Sequence, residues 1–110
     1  MIGTAGNYGQ VNISTVGEWT NLGAAVAGSS LIISSLNICN LGTETATVNV
    51  SLVISGGTEG NVKQIFYVGD IDPNETVVIG NICMGHGDSL YVRSDKANIS
   101  FNVFGIEQDL

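Results

Sequence analysis

The sequence has few charged residues and almost no basic ones. Charged residues make up 12% of the 110 residues, and the basic side chains are Lys63, Arg93 and Lys96. The formal net charge is −7. A protein that neutralises nucleic-acid phosphates needs clustered Lys and Arg, so the composition argues against a nucleic-acid partner. An anionic membrane surface would repel the chain for the same reason.

Residue types that carry catalysis are also scarce. The one histidine, His86, lies between two glycines and is followed by Asp88 and Ser89. A general base needs an orienting group and a nucleophile, and a tight glycine-flanked turn directs neighbouring side chains apart. We therefore predict a turn histidine. The sequence also lacks a phosphate-binding loop and a recognisable glycosidase carboxylate pair, so we expect no enzyme activity and no cofactor.

Cys39 and Cys83 are the only cysteines, too few for a disulfide scaffold in a chain of this length. Each lies in an apolar, strand-like run, which predicts free, buried thiols. A bond between them remains an alternative if the two strands face each other. One histidine and two distant cysteines do not complete a standard zinc site, so we expect no metal centre.

Residues 70–75 combine carboxylate and amide side chains with the only proline. Asp70, Asp72, Asn74 and Glu75 place oxygen ligands in a pattern similar to a calcium loop. The segment lacks the central glycine and the distant glutamate of an EF-hand loop, and Pro73 fixes φ as a β-turn requires. We predict a β-turn here, with calcium binding as the alternative.

Strands dominate what the sequence does contain. Hydrophobic residues make up 44% of the chain. Residues 45–54 and 98–106 alternate apolar and polar side chains with period two, which is typical of half-buried strands. Segments rich in Gly, Asp and Asn separate these runs at fairly regular intervals, and no segment has a helical period. We predict an all-β chain: an antiparallel β-sandwich, jelly-roll or Ig-like, of seven to eight strands.

The first 17 residues differ from the rest, with four glycines and few large apolar side chains. We predict a glycine-rich N-terminal arm over residues 1–17 and a single β-sandwich domain over residues 18–110. The N-terminus lacks the basic and apolar regions of a signal peptide, so we expect synthesis in a cytoplasm. Such a segment is either a flexible tail or an arm that becomes ordered against a partner. The predicted partner-binding residues are Tyr8, Gln10, Val11, Ile13 and Trp19.

Three stretches resemble one group of proteins: residues 35–48, residues 79–94 and residues 98–107. A strand ending in Cys-Asn, a Gly-Asp-x-Leu-x-Val strand and a final Phe-Asn-x-Phe-Gly strand are similar to short β-sandwich virion proteins and tail or fibre modules of bacteriophages, especially marine and cyanobacterial phages. The resemblance covers about residues 30–107. The chain departs from the group in its N-terminal segment and at residues 70–73.

The resemblance implies a structural protein of the virion, made in the cytoplasm of a host bacterium. Within that group we expect a capsid decoration, or cement, protein that binds the outside of the capsid and stabilises it. The implied partners are the major capsid protein or another virion protein, and further copies of the chain in a dimer or trimer. The alternative is a tail, neck, baseplate or fibre subunit that contacts the host. A carbohydrate-binding module is disfavoured by an aromatic content of 6%.

Overall fold

The computed structural model describes residues 4–24, 29–53, 65–85 and 87–109, and these form strands joined by turns and loops. The described strands are β1 (Thr4–Asn12), β2 (Thr20–Ala24), β3 (Ser29–Asn40), β4 (Ala46–Val53), β5 (Ile65–Ile71), β6 (Thr76–Met84), β7 (Ser89–Ser94) and β8 (Ile99–Asp109). The described residues contain no helix of the length and apolarity needed to cross a membrane.

The strands form two four-stranded antiparallel sheets. The first sheet has the order β1-β8-β3-β6 and the second has the order β2-β7-β4-β5. Strand β1 thus pairs with β8, β2 with β7, β3 with β6 and β4 with β5, as in a long hairpin folded over on itself. This is the strand order of an eight-stranded jelly roll. The predicted antiparallel β-sandwich is confirmed, and the described strands have the order of its jelly-roll form. The chain has slightly more strands than the seven to eight predicted.

The core lies between the sheets and follows the period-two pattern. In β4, Val48 and Val50 are buried and alternate with half-buried Thr47 and Asn49. In β8, Phe101 is the largest fully buried side chain. Because successive side chains of a strand point to opposite faces, each strand that supplies the core also presents an outer row. The remaining core residues include Leu22, Leu31, Ile33, Leu36, Ile38, Ile71, Met84, Leu90, Val92, Ile99 and Val103.

A buried asparagine joins the two sheets at the end of β3. The amide nitrogen of Asn40 donates to the carbonyl oxygens of Ile71 and Glu44, each at 2.8 Å. Its Oδ1 accepts from the Gly42 N–H at 2.9 Å. Asn40 is fully buried, so these hydrogen bonds replace the water that its amide has lost. The Cys-Asn-turn motif is therefore explained by the turn between β3 and β4.

Residues 4–13 belong to the sandwich rather than to a separate arm. Strand β1 pairs with β8 from Thr4, opposite Glu107, to Asn12, opposite Ser100. Ile13 then lies in the core with 2% of its side chain exposed. Glycine-rich composition favours a tail, but strand pairing uses backbone groups and does not need large side chains. Gly9 is required here, because a Cβ at this position would collide with the Leu22 carbonyl oxygen.

Candidate functional site

The outer face of the first sheet carries a cluster of exposed apolar side chains. The register places Cys83 of β6, Ile32 of β3 and Ile106 of β8 side by side in one row across the sheet. Phe104 lies in the next row of β8. Ile32, Phe104 and Ile106 are 38%, 40% and 36% exposed, and Cys83 is exposed as well. We call Ile32, Cys83, Phe104 and Ile106 the outer patch.

The polar remainder of this outer face is uncharged. Among the described side chains, the outward positions of the four strands hold hydroxyl and amide groups, glycine and apolar residues, and no Asp, Glu, Lys or Arg. The polar ones include Asn7, Gln10, Asn12, Ser30, Ser35, Asn37, Thr76, Ser100 and Asn102. In a chain with a net charge of −7, a whole sheet face without a carboxylate is an uneven distribution of charge. Such a face can approach a neutral protein surface without desolvating an ion.

The edges of the first sheet are the strands β1 and β6. Neither strand contains a charged residue or a proline, which are common means of blocking an open edge. Strand β1 has a register shift between Asn7 and Gly9, where the Gly9 N–H donates to Asn7 Oδ1 at 3.0 Å. Strand β6 keeps one register with β3 from Thr76, opposite Cys39, to Met84, opposite Leu31. Strand β6 is thus the less protected of the two edges.

The outer face of the second sheet is built differently, from hydrogen bonds and charges. The Thr47 hydroxyl donates to Asp70 Oδ1, and the Thr47 N–H donates to Asp95 Oδ1, both at 2.7 Å. Arg93 Nε donates to Asn49 Oδ1 at 3.1 Å. These groups border an open cleft of about 380 Å³, lined by Gly17, Thr47, Asn49, Arg93, Ser94 and Asp95.

The predicted partner-binding residues are distributed over three places. Gln10 is exposed on the outer face of β1, Val11 is half-buried against the core, and Ile13 is a core residue. Ile13 therefore has almost no surface left for a partner. The Tyr8 side chain lies outside the described part of the structure.

The fifth predicted residue, Trp19, directly precedes β2 of the second sheet. Its ring lies 4.4 Å from the Arg93 guanidinium carbon, in a cation–π contact. The indole is half-buried beside this polar network. The structure therefore does not bring Trp19 together with the residues of β1, and contact with a partner stays a prediction for all five.

Both cysteines are free. Cys39 faces Thr76 and Cys83 faces Ile32 in the pairing of β3 with β6, so the two thiols are separated by the strand length between Ile32 and Cys39. At about 3.3 Å per residue that length is about 23 Å, far beyond the reach of a disulfide. The prediction of buried thiols was wrong, since Cys39 is half-buried and Cys83 is exposed. Apolar runs predicted burial, but both thiols are on the outward side of their strands.

The predicted turn lies at residues 72–75, directly after β5, which includes Asp70. Asn74 adopts φ of 64°, and the Glu75 N–H donates to the Asp72 carbonyl oxygen at 3.0 Å. The carboxylates bond within the protein: Asp72 Oδ1 accepts from the Thr45 hydroxyl at 2.9 Å, and Glu75 Oε1 accepts from the Asp72 N–H at 3.2 Å. Within the described ranges, no group of three or more His, Cys, Asp or Glu residues is placed to hold a metal ion.

The turn around His86 is also closed by its neighbours. The Asp88 N–H donates to the Gly85 carbonyl oxygen at 3.0 Å, and Asp88 Oδ2 accepts from the Gly85 N–H at 2.9 Å. Gly87 adopts φ of 78°. His86 itself lies outside the described residues, so the turn histidine stays a prediction.

Sequence reasoning missed Ile32, Phe104 and Ile106. The sequence did contain a signal for Phe104. In an alternating strand, its position puts it on the face opposite to the buried Phe101 and Val103.

Comparison with known proteins adds no function: no family model matches the chain, and no curated protein is significantly similar to it.

Proposed function

We propose that the protein is a structural subunit of a virus particle: a decoration protein that binds the outside of a phage capsid and stabilises it. The observation that carries this proposal is the outer patch on a charge-free sheet face of an acidic chain. The phage identity rests on the resemblance of residues 35–48, 79–94 and 98–107. Jelly rolls are common in viral capsid domains, but this is an analogy of fold and does not define a function.

The outer patch has the size expected of a weak, repeated contact. Fully burying a Leu, Ile or Phe side chain contributes about 1.5–3 kcal/mol, so covering the exposed third of each patch residue contributes about 1 kcal/mol or less. Ile32, Phe104 and Ile106 together offer a few kcal/mol before the costs of association. A subunit with such a contact stays attached when an oligomer engages several equivalent sites at once.

The surroundings of the outer patch resemble an interface rim. Asn37, Asn102 and Gln10 share the sheet face with the patch and offer both donors and acceptors. A typical interface has an apolar centre and a hydrogen-bonding edge. The expected partner surface is therefore neutral, partly apolar and able to form hydrogen bonds, as a coat subunit can provide.

The test uses Ile106→Lys, which puts a charge into the outer patch, and Val68→Lys as the matched control. Val68 lies on the edge strand of the second sheet and is 62% exposed. Each purified variant is mixed with capsids that lack the protein, and occupancy is measured on the recovered particles. We expect at least a tenfold loss of occupancy for Ile106→Lys and none for Val68→Lys.

Thermal melts of both variants show whether they remain folded. Equal occupancy for Ile106→Lys and wild type would refute attachment through the outer patch. The location of the protein on the particle separates the two expected roles. Many copies spread over the shell indicate decoration, whereas a small ring at one vertex or on the tail indicates the neck, baseplate or fibre alternative.

A further inference from the structure

The open edge of β6 has a self-complementary pattern. Among its described side chains, Val77, Ile79, Ile82 and Met84 face the sandwich interior, while Val78, Gly80 and Cys83 face outward. The inward positions are odd-numbered before residue 80 and even-numbered after residue 81. Reversing the strand about a point between Gly80 and Asn81 therefore superimposes inward positions on inward positions and outward positions on outward ones.

When two antiparallel copies of β6 are related by a twofold axis at that point, each inward residue lies opposite an inward residue of the second copy, and each outward residue lies opposite an outward one. Val78 then lies opposite Cys83 of the second copy on the outer face. Ile79 lies opposite Ile82 and Val77 opposite Met84 on the inner face. Directly opposite residues in antiparallel strands share a face, so this register leaves no mismatched orientation among the described side chains of β6.

The charge distribution favours a second copy over other occupants of this edge. Strand β6 contains no ionisable group other than the Cys83 thiol, although the chain carries a net charge of −7. Two copies that meet at β6 bring no carboxylates of their edge strands together. By contrast β5 carries Asp70 and β2 has only five residues. Strand β1 shifts its register against β8 at Asn7, whereas β6 keeps one register against β3 although its alternation changes at residues 80–81. Within the described part of the chain, β3 is the only strand paired with β6.

We propose that two copies of the chain pair antiparallel through β6, with the twofold axis between Gly80 and Asn81. The two first sheets become one eight-stranded sheet, and both outer patches lie on the same continuous outer face. The contact is isologous, as closed dimers require, and it uses strand addition at an unguarded edge. This deepens the oligomer of the proposed function by naming its interface, but its test needs no particle.

The register makes a covalent test specific. Replacing Val78 with cysteine puts a thiol opposite the native Cys83 of the second copy, at a Cβ–Cβ distance of about 4.5–5.5 Å. Two native Cys83 residues are about 16 Å apart in this dimer, five residues along a strand, and do not bond. Val78→Cys is prepared with Cys39→Ser, which removes the other free thiol, and is oxidised under mild conditions.

We expect most of the Val78→Cys protein to migrate as a disulfide-linked dimer on a non-reducing gel. Adding Cys83→Ser should abolish the dimer, because the two introduced thiols are also about 16 Å apart. The matched control is Val68→Cys in the same background, an equally exposed position on the other sheet. Cross-linking of Val68→Cys to the same extent, or persistence of the dimer without Cys83, would overturn the register.

Sedimentation velocity provides a second measurement without a new thiol. We expect the wild-type chain to sediment as a dimer and Val78→Lys as a monomer that remains folded in a thermal melt. A wild-type chain that stays monomeric at hundreds of micromolar would overturn the dimer. If the dimer fails while Ile106→Lys still loses particle binding, the proposed function stands and this inference does not.

Discussion

The two sheets of the jelly roll share one core but have opposite outer faces. The first sheet presents Ile32, Phe104 and Ile106 on a face whose described outward side chains carry no charge. The second sheet presents a cleft in which Arg93 contacts Asn49 and Trp19. Polar groups on the second face are bonded to one another and can remain in water. The exposed apolar groups of the first face gain free energy only when another surface covers them.

The comparison shows which surfaces of this sandwich differ and can serve interaction. Both inner faces are needed for stability, so only outer faces and edges can differ for function. Exposed apolar side chains that are scattered singly need no explanation, but a row across adjacent strands is a contiguous patch. The first sheet has both such a patch and the long uncharged edge β6. We therefore propose that contacts with other proteins involve the first sheet.

The largest expected effect on the free energy of unfolding distinguishes the inner and outer faces of a single strand, β8. Phe101 and Phe104 lie three residues apart on β8, but Phe101 is fully buried and Phe104 is 40% exposed. Phe101→Ala should lower the free energy of unfolding by about 3–5 kcal/mol, because it opens a cavity in the core. Phe104→Ala should cost about 1 kcal/mol or less. Urea denaturation of both variants measures this, and equal losses would show that inner and outer faces are wrongly assigned.

A smaller effect concerns the connection between the sheets. Asn40→Ala removes the donor for the Ile71 carbonyl oxygen and the acceptor for the Gly42 N–H. A buried polar group left without a partner costs about 1–3 kcal/mol, so we expect a loss of about 2–3 kcal/mol. Asn102→Ala on the outer face is the control and should cost under about 1 kcal/mol. A loss under about 1 kcal/mol for Asn40→Ala would show that the sheets do not depend on this residue.

The smallest effect belongs to the outer face of the second sheet. Arg93→Ala loses the contact with Trp19 and the hydrogen bond to Asn49, together worth about 1 kcal/mol at a half-exposed site. Dimerisation and particle binding should not change. Lys96→Ala is the control, because its exposed ion pair with Glu44 at 3.5 Å contributes about 0.5 kcal/mol or less. Loss of particle binding by Arg93→Ala, with the fold intact, would move the contact site to the second sheet.

The sequence predicted the sandwich because period-two alternation and regular turns depend on local pattern alone. Alternation also identified Val48, Val50 and Phe101 as inward residues, but it put Ser51, which is fully buried, on the outer face. The turn that follows β5 was recognisable from Pro73 and its polar neighbours. These features need no knowledge of which strands become neighbours.

The candidate site depended on knowledge of those neighbours. Ile32, Cys83 and Ile106 are far apart in the chain and form a row only through the pairing of β3 with β6 and β8. The first 17 residues were expected to form an arm, because composition does not reveal that the backbone of β1 pairs with β8. Trp19 was grouped with that segment by position, although β2, which follows it, belongs to the second sheet.

Hydrogen–deuterium exchange of the wild-type chain at low and high protein concentration tests the assignment of contacts to the first sheet most directly. The exchange rates of two edge strands are compared: β6 at the edge of the first sheet and β5 at the edge of the second. We predict that amides of residues 76–84 exchange at least tenfold more slowly at the higher concentration, while those of residues 65–71 do not change. Exchange in residues 76–84 that is independent of concentration, or equal slowing in residues 65–71, would contradict the account.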